Sequence, residues 1–263
     1  KRQYYTLVSE FMLQQTQVVT VVPYFNRFIK NIPSFKILAK IRNKKLIKLW
    51  EGLGYYSRAR NLKKTAQVVI KKFKGKLPDN FEDLLSLPGI GNYTASAILA
   101  IAFNKPYIPL DGNIERVLKR YLNLKKDREI QKDNLIQKKT IFGTSSRPSD
   151  YAQALMELGA LICKPTNPLC FQCPISNGCK SFKKKDFNLA KKIKRNKDKY
   201  FILKVYKKNQ KYLLIKNTKF NFLKNLTIFP MVEISKKKNF NENLNFKMSN
   251  MNMNIKIQYL KNN

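Results

Sequence analysis

All four cysteines of the chain fall in one short stretch, spaced Cys163-x6-Cys170-x2-Cys173-x5-Cys179, and histidine is absent. A fold stapled by scattered disulfides is therefore excluded, and any thiolate metal site has no imidazole ligand. Four thiols delivered from a single loop suit the wrapping of a cubane iron-sulfur cluster, each of whose irons takes one sulfur. A zinc ion held by the same four residues is the alternative, although such sites usually bring two CxxC knuckles and only Cys170/Cys173 forms one here. Two disulfides within the loop are the bland structural alternative.

The charge is permissive for a polyanionic partner. Lys and Arg number 53 against 16 Asp and Glu, a net +37, which attracts nucleic acid and makes binding fall with salt. The same excess of Lys, Asn, Ile, Phe and Tyr is also what an A+T-rich coding sequence yields for any protein. With 263 residues, 43% of them hydrophobic, the chain has enough apolar surface for a large core without staples. No apolar run approaches the roughly 20 residues of a membrane span. The first residue is Lys1 rather than Met, so the natural amino terminus is expected to lie upstream, and a targeting peptide is neither implied nor excluded.

Apolar residues recur at helical spacing from Tyr4 to Lys183, punctuated by Gly, Pro and Asn, which predicts a mainly α region. Residues 184–199 form a basic connector with little apolar periodicity. Beyond it, Tyr200–Tyr206 and Lys211–Lys216 are β-rich runs about a Lys-Lys-Asn-Gln turn and predict a hairpin, and Ile255–Leu260 predicts one more strand. The Lys/Asn-rich stretch between them has little to bury, so a small, partly disordered α+β or β appendage is expected.

Within the helical region, Asn80-Phe-Glu-Asp-Leu-Leu-Ser-Leu-Pro-Gly-Ile-Gly-Asn-Tyr-Thr-Ala95 reads as a capped short helix, a tight turn and a second helix ending near Phe103. Gly89 and Gly91 permit close backbone approach, and the free N–H groups opening the second helix can take a phosphate oxygen without reading sequence. Alone, such a hairpin is as often a plain connection. Asp111 then precedes Ile114, Val117, Leu118 and Tyr121, a helical pattern for which it would be the N-cap. By helical geometry Glu10, Gln14 and Gln17 share one polar stripe, with Val8, Met12 and Val19 on the core side.

The cysteine spacing resembles the 4Fe-4S loop of the endonuclease III and MutY branch of DNA glycosylases. Ile108-Pro-Leu-Asp-Gly-Asn-Ile-Glu-Arg-Val117 follows the hairpin as in the helix-hairpin-helix superfamily. Leu7-Val-Ser-Glu-Phe-Met-Leu-Gln-Gln-Thr-Gln-Val18 and Trp50-Glu-Gly-Leu-Gly-Tyr-Tyr-Ser-Arg-Ala-Arg-Asn61 are similar to segments of the MutY-type adenine glycosylases, so the resemblance runs over about residues 4–183 in the family's order. It implies a mainly α helix-hairpin-helix glycosylase fold. Residues 1–183 would be catalytic: about 13–104 a six-helix barrel with the hairpin at 81–103, and 1–12 plus 105–183 a cluster domain with its loop at 163–179. Residues 184–199 would be a linker and 200–263 a shortened Nudix-like α+β domain.

The resemblance also assigns roles. Glu10 matches the acid that protonates the departing adenine and later activates water, and Asp111 the carboxylate that stabilises or traps the oxocarbenium ion, a two-carboxylate logic shared with glycosidases. Tyr93 and Asn113 line the site, and Gln153 lies where an adenine-edge contact is expected. Gln15 and Tyr55 are the wedges that fill the gap left by an extruded base, an extrusion that costs a few kcal/mol. Arg58 and Arg60 beside Tyr55 suit phosphate contacts. Gly89 and Gly91 belong to the DNA-binding hairpin, and Cys163, Cys170, Cys173 and Cys179 hold one 4Fe-4S cluster.

Tyr93 stands where endonuclease III-like enzymes place a Schiff-base lysine, which implies a monofunctional hydrolase with little abasic-site lyase activity. Phe229-Pro230 fits a Nudix-like start, and Lys247-Met-Ser-Asn-Met251 a degraded lesion-reading loop: Ser249 is kept, while Met248 and Asn250 replace Phe and His. The implied function is release of adenine opposite 8-oxoguanine or G in double-stranded DNA, by a cytoplasmic, nucleoid-associated bacterial monomer with no membrane partner. Alternatives are an endonuclease III-like enzyme acting on oxidised pyrimidines and a non-catalytic iron-sulfur DNA-binding protein.

Overall fold

The structure is a computed structural model and describes residues 2–125, 139–143, 145–187, 197–235, 240–241, 243–248 and 251–260. It divides into two compact units, Lys1–Ala190 and Lys191–Asn263.

In the first unit, α1 (Arg2–Leu13) buries Tyr4, Leu7, Val8, Phe11 and Met12, the three- and four-residue spacing of one helix face. Six helices follow: α2 (Val18–Asn31), α3 (Phe35–Lys40), α4 (Asn43–Trp50), α5 (Ser57–Lys72), α6 (Phe81–Leu85) and α7 (Asn92–Phe103). With α1 they enclose one core in which Phe11, Phe28, Leu62 and Trp50 are wholly buried, each worth about 1.5–3 kcal/mol of burial. Capping marks the starts. Ser34 accepts from the Ile37 amide, and Asn80 Oδ1 accepts from the Asp83 amide at 2.8 Å. Ten of the twelve residues of α7 are apolar or small, and seven are buried, so this helix is covered on most sides.

Next come α8 (Gly112–Leu122), α9 (Pro148–Glu157), a π-helical turn (Leu158–Ile162) and α10 (Lys180–Lys183). Asp111 caps α8 as its spacing predicts. Ile108, Ile114 and Leu155 form a second core between α8 and α9. α1 meets both regions: Arg2 at its start donates to Ser149 Oγ of α9 at 2.8 Å. Among the described residues no helix is long and apolar enough to cross a membrane.

The second unit is strand-rich. β1 (Lys197–Lys208) turns through Asn209 and Gln210, both left-handed, into β2 (Lys211–Tyr212), so the hairpin forms as expected but its return strand stops early. β3 (Ile215–Lys216) instead pairs with β4 (Thr227–Ile228). β1 runs parallel to β7 (Met251–Leu260) from Lys197↔Met251 to Tyr206↔Leu260 and antiparallel to β5 (Met231–Ile234). β6 (Leu244–Met248) lies on the other edge of β7. Phe201, Phe220, Met253 and Ile255 make its core. One expectation needs correcting, since the Lys/Asn-rich stretch contributes strands; of the two alternatives, the described residues of this unit follow the β one.

Candidate active site and cysteine loop

Glu10, Tyr93, Asp111 and Asn113 reach one place from α1, α7 and the start of α8. Glu10 is only 5% exposed, and its Oε2 is buried without a hydrogen-bond partner. The Tyr93 hydroxyl lies near enough to act on its carboxylate. Burial pushes the Glu10 carboxyl up, the Tyr93 hydroxyl pulls it down, and the Asp111 charge pushes it up again, leaving it at about 7. Burial, reinforced by the two carboxylates, holds the Tyr93 hydroxyl well above the ordinary phenol range. Asp111 Oδ1 accepts the Ile114 amide at 2.7 Å, and its Oδ2 accepts from Asn113 Nδ2 at 3.1 Å. The cap thus orients the carboxylate while a side-chain amide fixes its second oxygen.

Sequence periodicity misplaced one feature of this region. α1 ends at Leu13 and α2 begins at Val18, so the stripe through Gln14 and Gln17 breaks, Gln17 becomes the flank of α2, and Val19 is 76% exposed instead of facing the core. Glu10 itself is no solvated helix residue.

The expected wedges sit on two tight turns. Gln15 (φ 58°) and Tyr55 (φ 45°) are non-glycine residues in the left-handed region, a conformation that side chains adopt only when the surroundings impose it. Gln15 is exposed and Tyr55 is half exposed. In the hairpin, Gly89 has φ +83°, and a Cβ there would lie 2.9 Å from Asn61 Cβ and 3.0 Å from Phe11, so glycine is required. Gly91 opens α7 with nothing within 4 Å of an added Cβ, leaving the first amides of that helix approachable. Thr65 Oγ1 donates to the Pro88 carbonyl at 2.8 Å, pinning the turn from α5.

Arg58 corrects a second expectation. It is 6% exposed, and its guanidinium donates to protein oxygens, so it is not presented to phosphate. Gln153 is exposed, and its amide donates back to the Ser149 carbonyl at 3.1 Å. Ser249 and Asn250 lie outside the described residues.

Cys163, Cys170, Cys173 and Cys179 line one pocket, with Ile162, Pro168 and Phe182 among them, and all four are free thiols. Among the described residues no three potential ligands converge closely enough for a lone metal ion. Burial raises the Cys170 thiol, and the charges of Cys163, Cys179 and Cys173 raise it further, the signature of thiols crowded about a shared space. Four thiols around an apolar pocket fit a multi-iron cluster, whose irons stand apart and take one sulfur each.

Two arginines that sequence reading passed over hold this loop. Arg120, 4% exposed, donates to the carbonyls of Lys164 at 2.6 Å and Pro165 at 2.8 Å and to Cys163 Sγ at 3.4 Å. Arg116 donates through Nε to the Cys163 carbonyl at 2.7 Å and through Nη2 to Asn113 Oδ1 at 2.9 Å. A continuous polar chain therefore runs from the cysteine loop through Arg116 and Asn113 to Asp111. Their spacing of four on α8, facing a cysteine-bearing loop, is the signal that could have found them.

A buried glutamate on the first helix, a helix-hairpin-helix turn and a capping aspartate after it define a class, and a family model described as HhH-GPD superfamily base excision DNA repair protein matches residues 8–140. The chain belongs to this superfamily of base excision DNA repair proteins. It is 39% identical over 240 residues to the adenine DNA glycosylase of Buchnera aphidicola subsp. Acyrthosiphon pisum (strain APS), covering 88% of this chain and 67% of the relative. Among solved structures it is similar to a thermostable thymine-DNA glycosylase (TM-score 0.63, 30% identity, 70% of this chain and 86% of that one). It is also similar to endonuclease III in a non-covalent complex with DNA (TM-score 0.60, 25% identity, 70% and 86%).

Proposed function

We propose that the chain is an adenine DNA glycosylase of base excision repair, hydrolysing the N-glycosidic bond of adenine opposite 8-oxoguanine or G in double-stranded DNA. The observation that carries this reading is Glu10: a carboxyl with one buried, unpartnered oxygen, raised to about 7 beside Tyr93 and Asp111. A group so placed is protonated in a useful fraction near neutrality and has a free oxygen to offer, which is what a poor leaving group such as adenine requires.

Gln15 and Tyr55 enter the duplex as the base is extruded, and the hairpin at Gly89 and Gly91 holds the backbone. Glu10 gives its proton to the adenine ring, and the bond to the sugar breaks as positive charge builds there. The Asp111 carboxylate, oriented by Asn113 and the Ile114 amide, stabilises that charge or traps it. Glu10, now a carboxylate, takes a proton from the attacking water, and an abasic site remains. Tyr93 offers no amine, so strand cleavage is slight. Gln153 contacts the adenine edge after turning from Ser149, and Ser249 with Asn250 contributes to recognition of the opposite base.

Cys163, Cys170, Cys173 and Cys179 would hold one 4Fe-4S cluster, which would fix the loop rather than take part in the bond breaking. The protein acts as a monomer in the bacterial cytoplasm, on nucleoid DNA, with 1–183 as catalytic domain, 184–199 as a linker whose last three residues already open β1, and 200–263 as a Nudix-like lesion reader.

Single-turnover release from duplexes carrying A opposite 8-oxoguanine, G or T, with alkali added to reveal abasic sites, tests the reading. Release from the first two and not the third is expected, with Glu10→Gln inactive but still binding duplex. Release of oxidised pyrimidine instead, or full activity in Glu10→Gln, overturns it.

A further inference from the structure

Arg58 stands in the first turn of α5, where the helix dipole disfavours a cation. It is nonetheless buried, and desolvation lowers its affinity for its proton. What offsets this is a ring of oxygens from two separate turns. Nη1 donates to the carbonyls of Phe11 at 3.2 Å and Met12 at 2.7 Å and also to that of Gln14. Nη2 donates to Thr16 Oγ1 at 3.2 Å and to the carbonyls of Leu53 at 2.9 Å and Gly54 at 3.4 Å. The guanidinium carbon lies 5.6 Å from the Tyr55 ring centroid and 5.6 Å from that of Trp50.

Gln14 and Thr16 flank Gln15 on the chain, and Gly54 directly precedes Tyr55. Both residues hold left-handed backbones without glycine's freedom, a cost of order 1–3 kcal/mol each that the surroundings must meet. One planar fork meets both turns at once, as a point-charge ammonium cannot.

We infer that Arg58 is a positioning residue for base extrusion: it clamps the Gln15 turn to the Tyr55 turn so that both side chains enter the duplex together. This rests on the proposed wedge role of Gln15 and Tyr55. Arg58 touches neither the reacting bond nor the phosphates; it acts by fixing the separation of two side chains before DNA arrives, which removes an ordering cost from the extrusion step.

The test places 2-aminopurine, whose fluorescence rises when it leaves the stack, opposite G in a duplex and compares wild type with Arg58→Lys at saturating protein. Adenine release is measured in parallel on the matching A:G duplex and on a duplex whose adenine sits in an unpaired bulge and needs little extrusion. In Arg58→Lys the brightening is expected to fall several-fold and release from A:G at least tenfold. Duplex binding and release from the bulge stay within about twofold of wild type.

Equal losses on the bulged and paired duplexes, or undiminished brightening, overturn the proposal, because a fold defect or a disturbed Glu10 would act on both substrates alike. If Arg58→Lys fails to fold, Thr16→Val, which removes one acceptor, decides. A smaller loss of brightening confined to the paired duplex supports the clamp, and no loss overturns it. Wild-type protein that releases adenine without brightening overturns the wedge role and the clamp with it, while wild-type brightening without adenine release points to failure of the adenine reading alone.

Discussion

Gly159 packs against Asn113 so closely that a Cβ built on it would lie 2.6 Å from Asn113 Cβ and 2.9 Å from the Asn113 carbonyl. Gly159 belongs to the π-helical turn after α9, and its carbonyl accepts from Arg116, the residue that also donates to Asn113 Oδ1. Glycine at 159 thus sets where Asn113, and through it Asp111, can stand. Gly159→Ala is expected to slow single-turnover adenine release by at least tenfold with about 1–3 kcal/mol lost from stability. Alanine tolerated with full activity would show that Asn113 has room to retreat.

In the proposed mechanism Glu10 acts first as an acid, so base release is expected to fall as pH rises through about 7. Stability has the same sense. The folded chain keeps this proton between about 4.5 and 7, where the unfolded chain has released it, so the stabilisation is full below that window and lost as pH rises through its upper edge. The displacement corresponds to at most on the order of 3 kcal/mol. Glu10→Gln should therefore melt higher than wild type at pH 8 and about equally at pH 4.5; equal melting at both would mean the carboxyl is not desolvated as described.

Replacing Tyr93 by lysine puts an amine within reach of the charges of Glu10 and Asp111. Burial there lowers an ammonium's affinity for its proton, whereas the two carboxylates raise it, so attack on the sugar should be slow but detectable. Borohydride added during turnover of Tyr93→Lys is expected to yield a covalent protein–DNA adduct that wild type does not give. No adduct from a folded variant would place Tyr93 off the line of attack.

Loss of the proposed iron-sulfur group should act through the arginines. With Cys170→Ser, iron content is expected to drop and the loop carbonyls that receive Arg116 and Arg120 lose their fixed positions. Adenine release should fall more than tenfold while the helical circular dichroism of α1–α7 is largely kept. Unchanged activity in an iron-free protein would disconnect the loop from Asp111.

Much of the site was legible because its parts are local. Asp111 before an apolar helical pattern announces an N-cap, four cysteines in one loop announce a shared ligand, and Gly89 in a tight turn announces a left-handed backbone. What escaped depends on where chains cross. Arg58 beside a surface turn reads as a phosphate ligand, and only the tertiary arrangement shows carbonyls from α1 closing around it. Arg116 and Arg120 escaped because the loop carbonyls they hold lie 43 to 47 residues further along the chain. The polar stripe through Glu10 was carried past Leu13 because the break there is not marked by proline or glycine. In β6, Leu244, Phe246 and Met248 do alternate, but the surrounding Lys and Asn outweighed that pattern.

The pairing of β1 with β7 joins residues as far apart as Asp198 and Asn252, 54 positions along the chain. During translation at roughly 5–20 residues per second, β1 leaves the ribosome several seconds before the strand that will lie alongside it. Through that interval its edge is a template for pairing with other chains, and its Lys197, Lys199, Lys204, Lys207 and Lys208 supply like-charge repulsion against such encounters. The lysines of this strand thus guard a nascent chain that must wait for its partner.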